Sequence, residues 1–253
     1  MGKKLLITLI FILSFSAFSY ETFIISDLDD TIKRTNVDHS GRAIYNGAFT
    51  RNIFSGMDDL FQMMSGYSSD LYVLSNSPNM LRYNIIALLK KYEISVTEIS
   101  TRNLIRDRNG FNYKFNYVVE KITNTNQKAI LIGDDVGEDP EVYAKVKQQY
   151  PSKVAAIYIH KVKNRVIPQG LTPYISVFDI AVREYAANRM NLAQAFVLGD
   201  NLLRKYDPNK VIPHFSFCPK KKSFWTSHNV SELNDLVEDI ANKMTKFCQM
   251  RKQ

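Results

Sequence analysis

Four short runs of apolar and β-branched residues recur along the chain, and segments with helical periodicity separate them. The runs occupy residues 22–26, 71–74, 129–132 and 154–159. Nearly uninterrupted apolar runs of this length are typical of strands buried on both faces, because a strand with one solvated face alternates apolar and polar side chains. Strands that alternate with helices form a parallel sheet with helices on both faces. The sequence therefore predicts an α/β fold.

Helical periodicity marks the segments between these runs, and the pattern changes towards the C-terminus. The helical segments are residues 57–64, 80–89, 115–122 and 140–146. Residues 231–249 show the clearest amphipathic helix, with Ser231 as the expected N-cap. We predict a sheet domain at residues 20–163 and a mostly helical C-terminal extension at residues 164–253 that packs on it.

The first nineteen residues have the three-part pattern of a secretory signal peptide. Lys3 and Lys4 precede an apolar stretch at residues 5–18. Ala17 and Ser19 place small residues at the −3 and −1 positions of a cleavage site. We therefore expect residues 1–19 to be removed and the protein to be exported, either to the periplasm or out of the cell. An uncleaved membrane anchor is the alternative.

The composition excludes several classes of protein. Hydrophobic residues make up 45% and charged residues 23%, which excludes a disordered, collagen-like or multi-span membrane chain. The formal net charge of +8 favours anionic partners, but the sequence has no nucleic-acid motif and no glycine-rich mononucleotide loop. Two cysteines, Cys218 and Cys248, are too few for a four-thiolate zinc site. Export permits a disulfide between them, and two free buried thiols fit the sequence equally well.

An acidic segment directly follows the first predicted strand. In Asp27-Leu28-Asp29-Asp30-Thr31, the side chains of Asp27 and Asp29 are two residues apart on an extended segment and point the same way. Two carboxylates this close cannot both stay ionised unless a cation binds or one of them takes up a proton. Either outcome is useful in catalysis, so we predict that both belong to an active site. An acidic turn before a helix is the alternative.

Three further positions carry candidate catalytic side chains. They are Ser75, Lys114, and Asp134 with Asp139. Each has a structural alternative, because the serine and the two acids could cap helices and the lysine could be one of many solvated lysines. The carboxyl ends of parallel strands meet at one edge of a sheet. Asp27, Ser75 and Asp134 each follow a predicted strand, so we expect them to share one site.

These motifs, in this order, resemble the haloacid-dehalogenase (HAD) superfamily, which implies a HAD-like Rossmannoid sheet. A closer resemblance, over residues 22 to about 162, is to the actin-patch-associated phosphatidate phosphatase family. The segments that carry it are Ile25–Lys33, Gly56–Leu60, Tyr72–Pro78, Ile132–Tyr143 and Ile157–His160. That family usually has a histidine before the motif lysine, whereas Tyr113 precedes Lys114 here. Lys121 and Lys128 are therefore fallback candidates.

The resemblance implies a Mg²⁺-dependent phosphatase with an aspartyl-phosphate intermediate. Asp27 would attack phosphorus, and Asp29 would protonate the leaving oxygen and then activate water. The implied metal ligands are Asp27, the backbone carbonyl of Asp29 and Asp134, with Asp135 or Asp139 orienting the ion or its waters. The implied phosphate-binding residues are Thr31, Ser75, Asn76 and Lys114, of which Thr31 also fixes its loop.

The spacing of the motifs bears on the substrate. Only 48 residues separate Asp27 from Ser75, and 39 separate Ser75 from Lys114, which leaves no room for a large cap domain. We therefore expect an open site that takes a phosphate on a large molecule, and the family resemblance favours a lipid such as phosphatidate. A candidate contact with an anionic bilayer comprises Lys220–Lys222 with Phe215, Phe217, Phe224 and Trp225. A partly buried loop with solvated charges is the alternative.

Two other functions fit the sequence. One is an exported acid phosphatase with broad specificity or with nucleotide substrates. The other is a catalytically weak protein on a HAD fold that binds a membrane surface or a partner, although all four motif positions are intact. The oligomeric state is left open.

Overall fold

The computed structural model describes residues 21–36, 51–224 and 230–251. The expected signal peptide and Trp225 lie outside these residues. The strands within them are β1 Thr22–Asp27, β2 Ser68–Pro78, β3 Glu98–Arg102, β4 Lys128–Asp134, β5 Val154–His160 and β6 Thr172–Tyr174. They form one sheet in the order β3-β2-β1-β4-β5-β6, and every neighbouring pair is parallel. The predicted parallel α/β fold is confirmed.

Eight α-helices in the described part of the chain accompany the sheet. They are α1 Met57–Met64, α2 Arg82–Lys91, α3 Gly110–Thr123, α4 Asp139–Gln149, α5 Val177–Ala186, α6 Leu192–Arg204, α7 Pro208–Val211 and α8 Asn234–Met250. Pro140 lies in the first turn of α4, where its missing N–H costs no helical hydrogen bond. The helices expected between the first four predicted strands are all present.

The strands bury side chains on both faces, which explains their apolar runs. Phe23 and Ile25 of β1 belong to one hydrophobic cluster and Ile24 to the other, as the two-residue period of a strand requires. Helices α3 and α4 cover the first face, whereas α1, α2, α5, α6 and α8 cover the second. The helices on both faces agree with the prediction.

Two strands were not expected from the sequence, and both lie at an edge of the sheet. Strand β3 carries one large buried apolar side chain, Ile99, between polar residues. Strand β6 has three residues and includes Pro173, which an edge strand tolerates. Since β6 pairs with β5, a segment beyond residue 163 completes the sheet. The domain boundary at that residue remains a prediction.

The C-terminal helices pack on one face of the sheet, as expected for the extension. Ser231 is not the N-cap of the last helix, which corrects that prediction. A 3₁₀ turn at Ser231–Leu233 precedes α8, and the Ser231 hydroxyl donates to the Glu232 carboxylate at 2.8 Å. A disulfide joins Cys218, in the segment that follows α7, to Cys248 in α8. In the described residues, no helix combines the length and apolarity needed to cross a bilayer.

The candidate bilayer contact around Lys220–Lys222 is only partly exposed in the described residues. Phe215 and Phe217 are half-buried, and Phe224 is 48% exposed. The last lysine of the run pairs with Glu238 at 2.7 Å. These contacts favour the alternative of a partly buried loop.

Candidate active site

Two acidic residues of the candidate site lie at the ends of adjacent strands. Asp27 is the last residue of β1 and Asp134 is the last residue of β4. The strands are parallel neighbours, so both carboxylates lie at the same edge of the sheet. Asp139 opens α4 directly after this edge, and one carboxylate oxygen from each of the three lies within 4.8 Å of the other two. All three residues are buried.

Lys114 reaches this cluster from the second turn of α3. Its Nζ donates to Asp27 Oδ1 and to Asp139 Oδ1, each at 2.5 Å, and the residue is 4% exposed. The fallback lysines lie elsewhere. Lys121 pairs with Glu98 at 2.7 Å, and Lys128 is exposed at the start of β4, the opposite end from Asp134. The structure therefore brings Lys114, not the fallback candidates, to the strand-end acids.

Burial and the neighbouring charges shift the pKa values of Asp27, Asp134 and Lys114. Burial raises the pKa of Asp27 well above its ordinary value, with Lys114 opposing the rise and Asp139 adding to it. Burial and the nearby Asp139 raise the pKa of Asp134 to about 8. Burial acts to lower the pKa of Lys114, but Asp139 and Asp27 outweigh it and the pKa is raised well above its usual value. Three buried carboxylates share one ammonium group, so a bound cation would relieve their repulsion.

Gly133 allows Asp139 to approach the end of β4. A Cβ built on residue 133 would lie 2.5 Å from Asp139 Oδ2 and 2.7 Å from Asp139 Cβ. The backbone N–H of Asp134 donates to Asp139 Oδ2 at 3.3 Å. On the other side, Asp134 Oδ1 accepts from the backbone N–H groups of Val136 and Gly137 at 2.6 and 3.2 Å. These bonds hold both acids in place.

The sequence left either Asp135 or Asp139 as the additional acid near the metal. In the structure the two carboxylates have different environments. The Asp135 carboxylate is turned to the chain after β5, where it accepts from the backbone N–H groups of Val162, Lys163 and Arg165 at 2.7–2.9 Å. It also pairs with Lys161 Nζ at 2.9 Å. Asp135 therefore organises a loop, whereas Asp139 faces the other two acids of the cluster.

The Asp29 carboxylate lies beside the cluster and faces the end of β2. Its Oδ2 accepts from Ser77 Oγ at 2.8 Å and from Ser75 Oγ at 3.2 Å, and its Oδ1 is 3.7 Å from Lys33 Nζ. The negative charge of Asp29 is one of the influences that raise the pKa of Asp27. Asp29 is half-buried, so its carboxyl group is more accessible to a substrate than the fully buried acids.

The other two expected phosphate-binding residues have different environments. Thr31 is fully buried, and its hydroxyl donates to Asp134 Oδ2 at 3.2 Å, so in this arrangement it positions an acid. Asn76 is half-buried, and its Oδ1 has no hydrogen-bond partner within the described residues. Its Nδ2 lies 3.0 Å from where a Cβ of Gly110 would be, near the N-terminus of α3. A direct contact of either residue with phosphate remains a prediction.

Three residues that contact or adjoin the site were not named from the sequence. Ser77 could have been found, because it lies two residues after Ser75 on the same strand and so faces the same way. His160 ends β5, and its Nδ1 lies 2.8 Å from the backbone carbonyl oxygen of Asp30. Tyr174 of β6 stacks on His160, with ring centroids 4.9 Å apart. Tyr174 could not have been found, because β6 itself was not predicted.

The donor set suits a hard divalent cation. The three cluster acids offer only carboxylate oxygens, the ligands that Mg²⁺ prefers, and no histidine or cysteine joins them in the described part of the chain. The like-charged oxygens are buried and close together, an arrangement that an ion stabilises. The residues therefore fit a hard divalent cation such as the expected magnesium ion.

Comparisons with known proteins bear on the same segment. Two curated relatives match over 160 residues: Phosphatidate phosphatase APP1 of Saccharomyces cerevisiae at 28% identity and an uncharacterized protein of Schizosaccharomyces pombe at 24%. The matches cover 57% and 55% of this chain but 27% and 25% of those proteins, so the chain spans about a quarter of their length.

A solved structure, that of a Pnkp1/Rnl/Hen1 complex, contains a chain that matches 54% of this one at 19% identity. The match covers 45% of that chain with a TM-score of 0.41, which is too low to support an argument. The model of a protein family described as phosphatidate phosphatase APP1, catalytic domain, matches residues 22–161. That match includes the three cluster acids and Lys114, and it covers more than half of the chain. The protein therefore belongs to this family.

Proposed function

We propose that the protein is an exported, Mg²⁺-dependent phosphohydrolase that removes phosphate from a large or lipid phosphomonoester such as phosphatidate. The observation that carries the proposal is the cluster of three buried carboxylates with Lys114 at the carboxyl edge of the sheet. Retaining so much like charge in a protein interior is unfavourable unless the charge binds a cation and acts on a substrate.

Asp27 is the proposed nucleophile. One of its carboxylate oxygens forms a bond to phosphorus, while the bond from phosphorus to the leaving oxygen breaks and that oxygen takes a proton from Asp29. Asp29 then removes a proton from water, which attacks the phosphoryl group on Asp27 and releases inorganic phosphate. The half-buried position of Asp29, two residues after Asp27 and held by Ser75 and Ser77, supports this role.

The remaining residues bind and orient. Ser75, Lys114 and Asn76 are proposed to donate hydrogen bonds to the phosphoryl oxygens as charge spreads over them. Thr31 keeps Asp134 in place through its hydroxyl. A magnesium ion, when bound by Asp27, Asp134, Asp139 and the backbone carbonyl of Asp29, would supply positive charge to the phosphoryl group.

Three features support the finer parts of the proposal. The name of the yeast relative favours phosphatidate as the substrate. The described chain between Ser75 and Lys114 forms only α2, β3 and their connections, which supports an open site for a large substrate. The Cys218–Cys248 disulfide supports export, because disulfides persist mainly in oxidising compartments.

The test measures phosphate release from phosphatidate in vesicles, from nucleotides and from a soluble phosphomonoester, each with Mg²⁺ and with a chelator. The Asp27→Asn protein is the blank. We expect Mg²⁺-dependent release that is fastest from phosphatidate. Faster release from nucleotides or soluble esters would replace the lipid substrate by the broad-specificity alternative, and no release from any of them would refute the enzymatic proposal.

A further inference from the structure

Two loops at the carboxyl edge of the sheet expose large apolar side chains. Met80, in the turn after β2, is 82% exposed, and Tyr83, in the first turn of α2, is 84% exposed. In the loop after β3, Leu104 is 50% and Ile105 is 85% exposed. We call these four residues the apolar edge. Large apolar groups concentrated in this way indicate a binding surface, because isolated exposed residues are ordinary but groups are not.

The apolar edge borders the active site. Its first loop leaves β2 shortly after Ser75, and its second loop leads into α3, which carries Lys114. Strands β2 and β3 are parallel neighbours, so both loops emerge at the edge of the sheet where the strand-end acids lie. Thr101 Oγ1, near the end of β3, donates to Asn79 Oδ1 at 2.8 Å, which joins the end of β3 to the first loop.

The surroundings of the apolar edge are basic. Arg82, Arg106 and Arg108 are exposed, and Arg102 is half-buried. Asp107 is the only acid in residues 79–86 and 102–109, so these two segments carry a formal charge of +3. An apolar surface with a basic rim is complementary to an anionic bilayer, whose interior takes the apolar groups while its headgroups attract the arginines.

We propose that the apolar edge docks the protein on an anionic lipid bilayer, with the active site facing the membrane. The inference rests on the proposed function in one respect, since a lipid phosphomonoester is the substrate that such docking would deliver. It places the membrane contact on a different surface from Lys220–Lys222, where Phe215 and Phe217 are half-buried and Lys222 is paired.

The experiment separates docking from turnover. Docking is measured with the Asp27→Asn protein, by flotation with phosphatidylcholine vesicles that contain or lack phosphatidylglycerol, which carries no phosphomonoester. We expect binding that needs the anionic lipid. The triple substitution Met80→Ser, Tyr83→Ser and Ile105→Ser should weaken it by about tenfold or more, the factor that corresponds to 1.4 kcal/mol. A second variant, with Arg82, Arg106 and Arg108 replaced by Gln, should weaken it most at low salt.

The matched control replaces three exposed apolar residues on helices α6 and α8, Phe196, Val197 and Met250, which are 50%, 44% and 66% exposed, by Ser. It should bind vesicles like the parent. Unchanged melting temperatures show that the variants fold. Docking at the apolar edge is refuted if the triple variant binds like the parent, if the control loses as much binding, or if neutral vesicles bind equally well. Docking without phosphatidate hydrolysis by the protein with Asp27 intact would refute the proposed substrate and leave the docking surface standing.

Discussion

Two clusters of buried charge in the described residues differ in their balance of acids and bases. At the active site, the carboxylates of Asp27, Asp134 and Asp139 share the single ammonium group of Lys114. On α5, the Glu184 carboxylate is fully buried but accepts two bonds from the Arg189 guanidinium at 2.6 and 2.7 Å. Tyr158 and Tyr67 also donate to Glu184, at 2.5 and 3.1 Å.

The difference in balance separates a structural role from a functional one. In the Glu184 cluster one acid meets one base, and hydroxyl groups satisfy the remaining acceptor sites, so its main effect is on folding. In the Asp27 cluster the acids outnumber the base, which destabilises the metal-free protein. Substitutions in the Glu184 cluster should therefore affect stability, whereas substitutions in the Asp27 cluster should affect turnover.

The largest contrast is expected from Asp27→Asn. Turnover should fall by about a thousandfold or more because the nucleophile is lost, whereas the melting temperature should not fall, because one of three like charges is removed. Phosphate release and thermal unfolding of the same preparation measure both. Activity at the level of the unchanged protein would exclude Asp27 as the nucleophile.

Lys114→Met should affect both properties. Turnover should fall by about 10²–10³-fold, because a donor to the phosphoryl oxygens is lost. Asp27 and Asp139 also lose their shared partner, so the melting temperature should fall. Mg²⁺ should restore part of it by binding the uncompensated carboxylates. A melting temperature that does not respond to Mg²⁺ would contradict the proposed ion site.

Glu184→Gln should lower stability without lowering turnover, the opposite of Asp27→Asn. The free energy of unfolding should fall by about 1–3 kcal/mol because the half-buried Arg189 loses its counter-ion, while turnover per folded molecule stays unchanged. Denaturant unfolding and assays well below the melting temperature measure the two effects. The control is Glu141→Gln, which removes the exposed pair with Arg165 and should cost about 0–1 kcal/mol. A loss of turnover in the folded Glu184 variant would contradict a purely structural role for this cluster.

Among the substitutions at the active site, Gly133→Ala should have the smallest effect on turnover. The new Cβ would displace the Asp139 carboxylate, which we expect to lower turnover by about tenfold. Gly137→Ala is the matched control, since a Cβ at residue 137 would meet nothing within 4 Å. Steady-state kinetics of the two proteins compare them directly. Equal activities would show that the approach of Asp139 to β4 is not needed for turnover.

Much of the central sheet could be predicted from local patterns. Strands β1 and β4 are covered on both faces, so their side chains are almost all apolar and the runs stand out. The acids that follow them interrupt the pattern abruptly, which marked Asp27, Asp29 and Asp134 as candidates. The edge strands could not be predicted, because β3 and β6 owe their conformation to pairing with β2 and β5 more than to their own residues.

The residue patterns were sufficient for the fold class, the shared edge of strand-end acids and the family. The sequence favoured Lys114 over Lys121, but only packing shows that Lys114 reaches the strand-end acids and that Asp139, not Asp135, faces them. Residues of one type that lie close in the sequence differ in the direction they face once the helices dock. The same holds for the disulfide, which needs Cys218 and Cys248 to meet with Cα atoms 5.3 Å apart, and for the apolar edge, whose two loops adjoin because β2 and β3 pair. Local propensity acts over a few residues, whereas these contacts join segments from about thirty to more than one hundred residues apart, and they form only when the whole sheet is assembled.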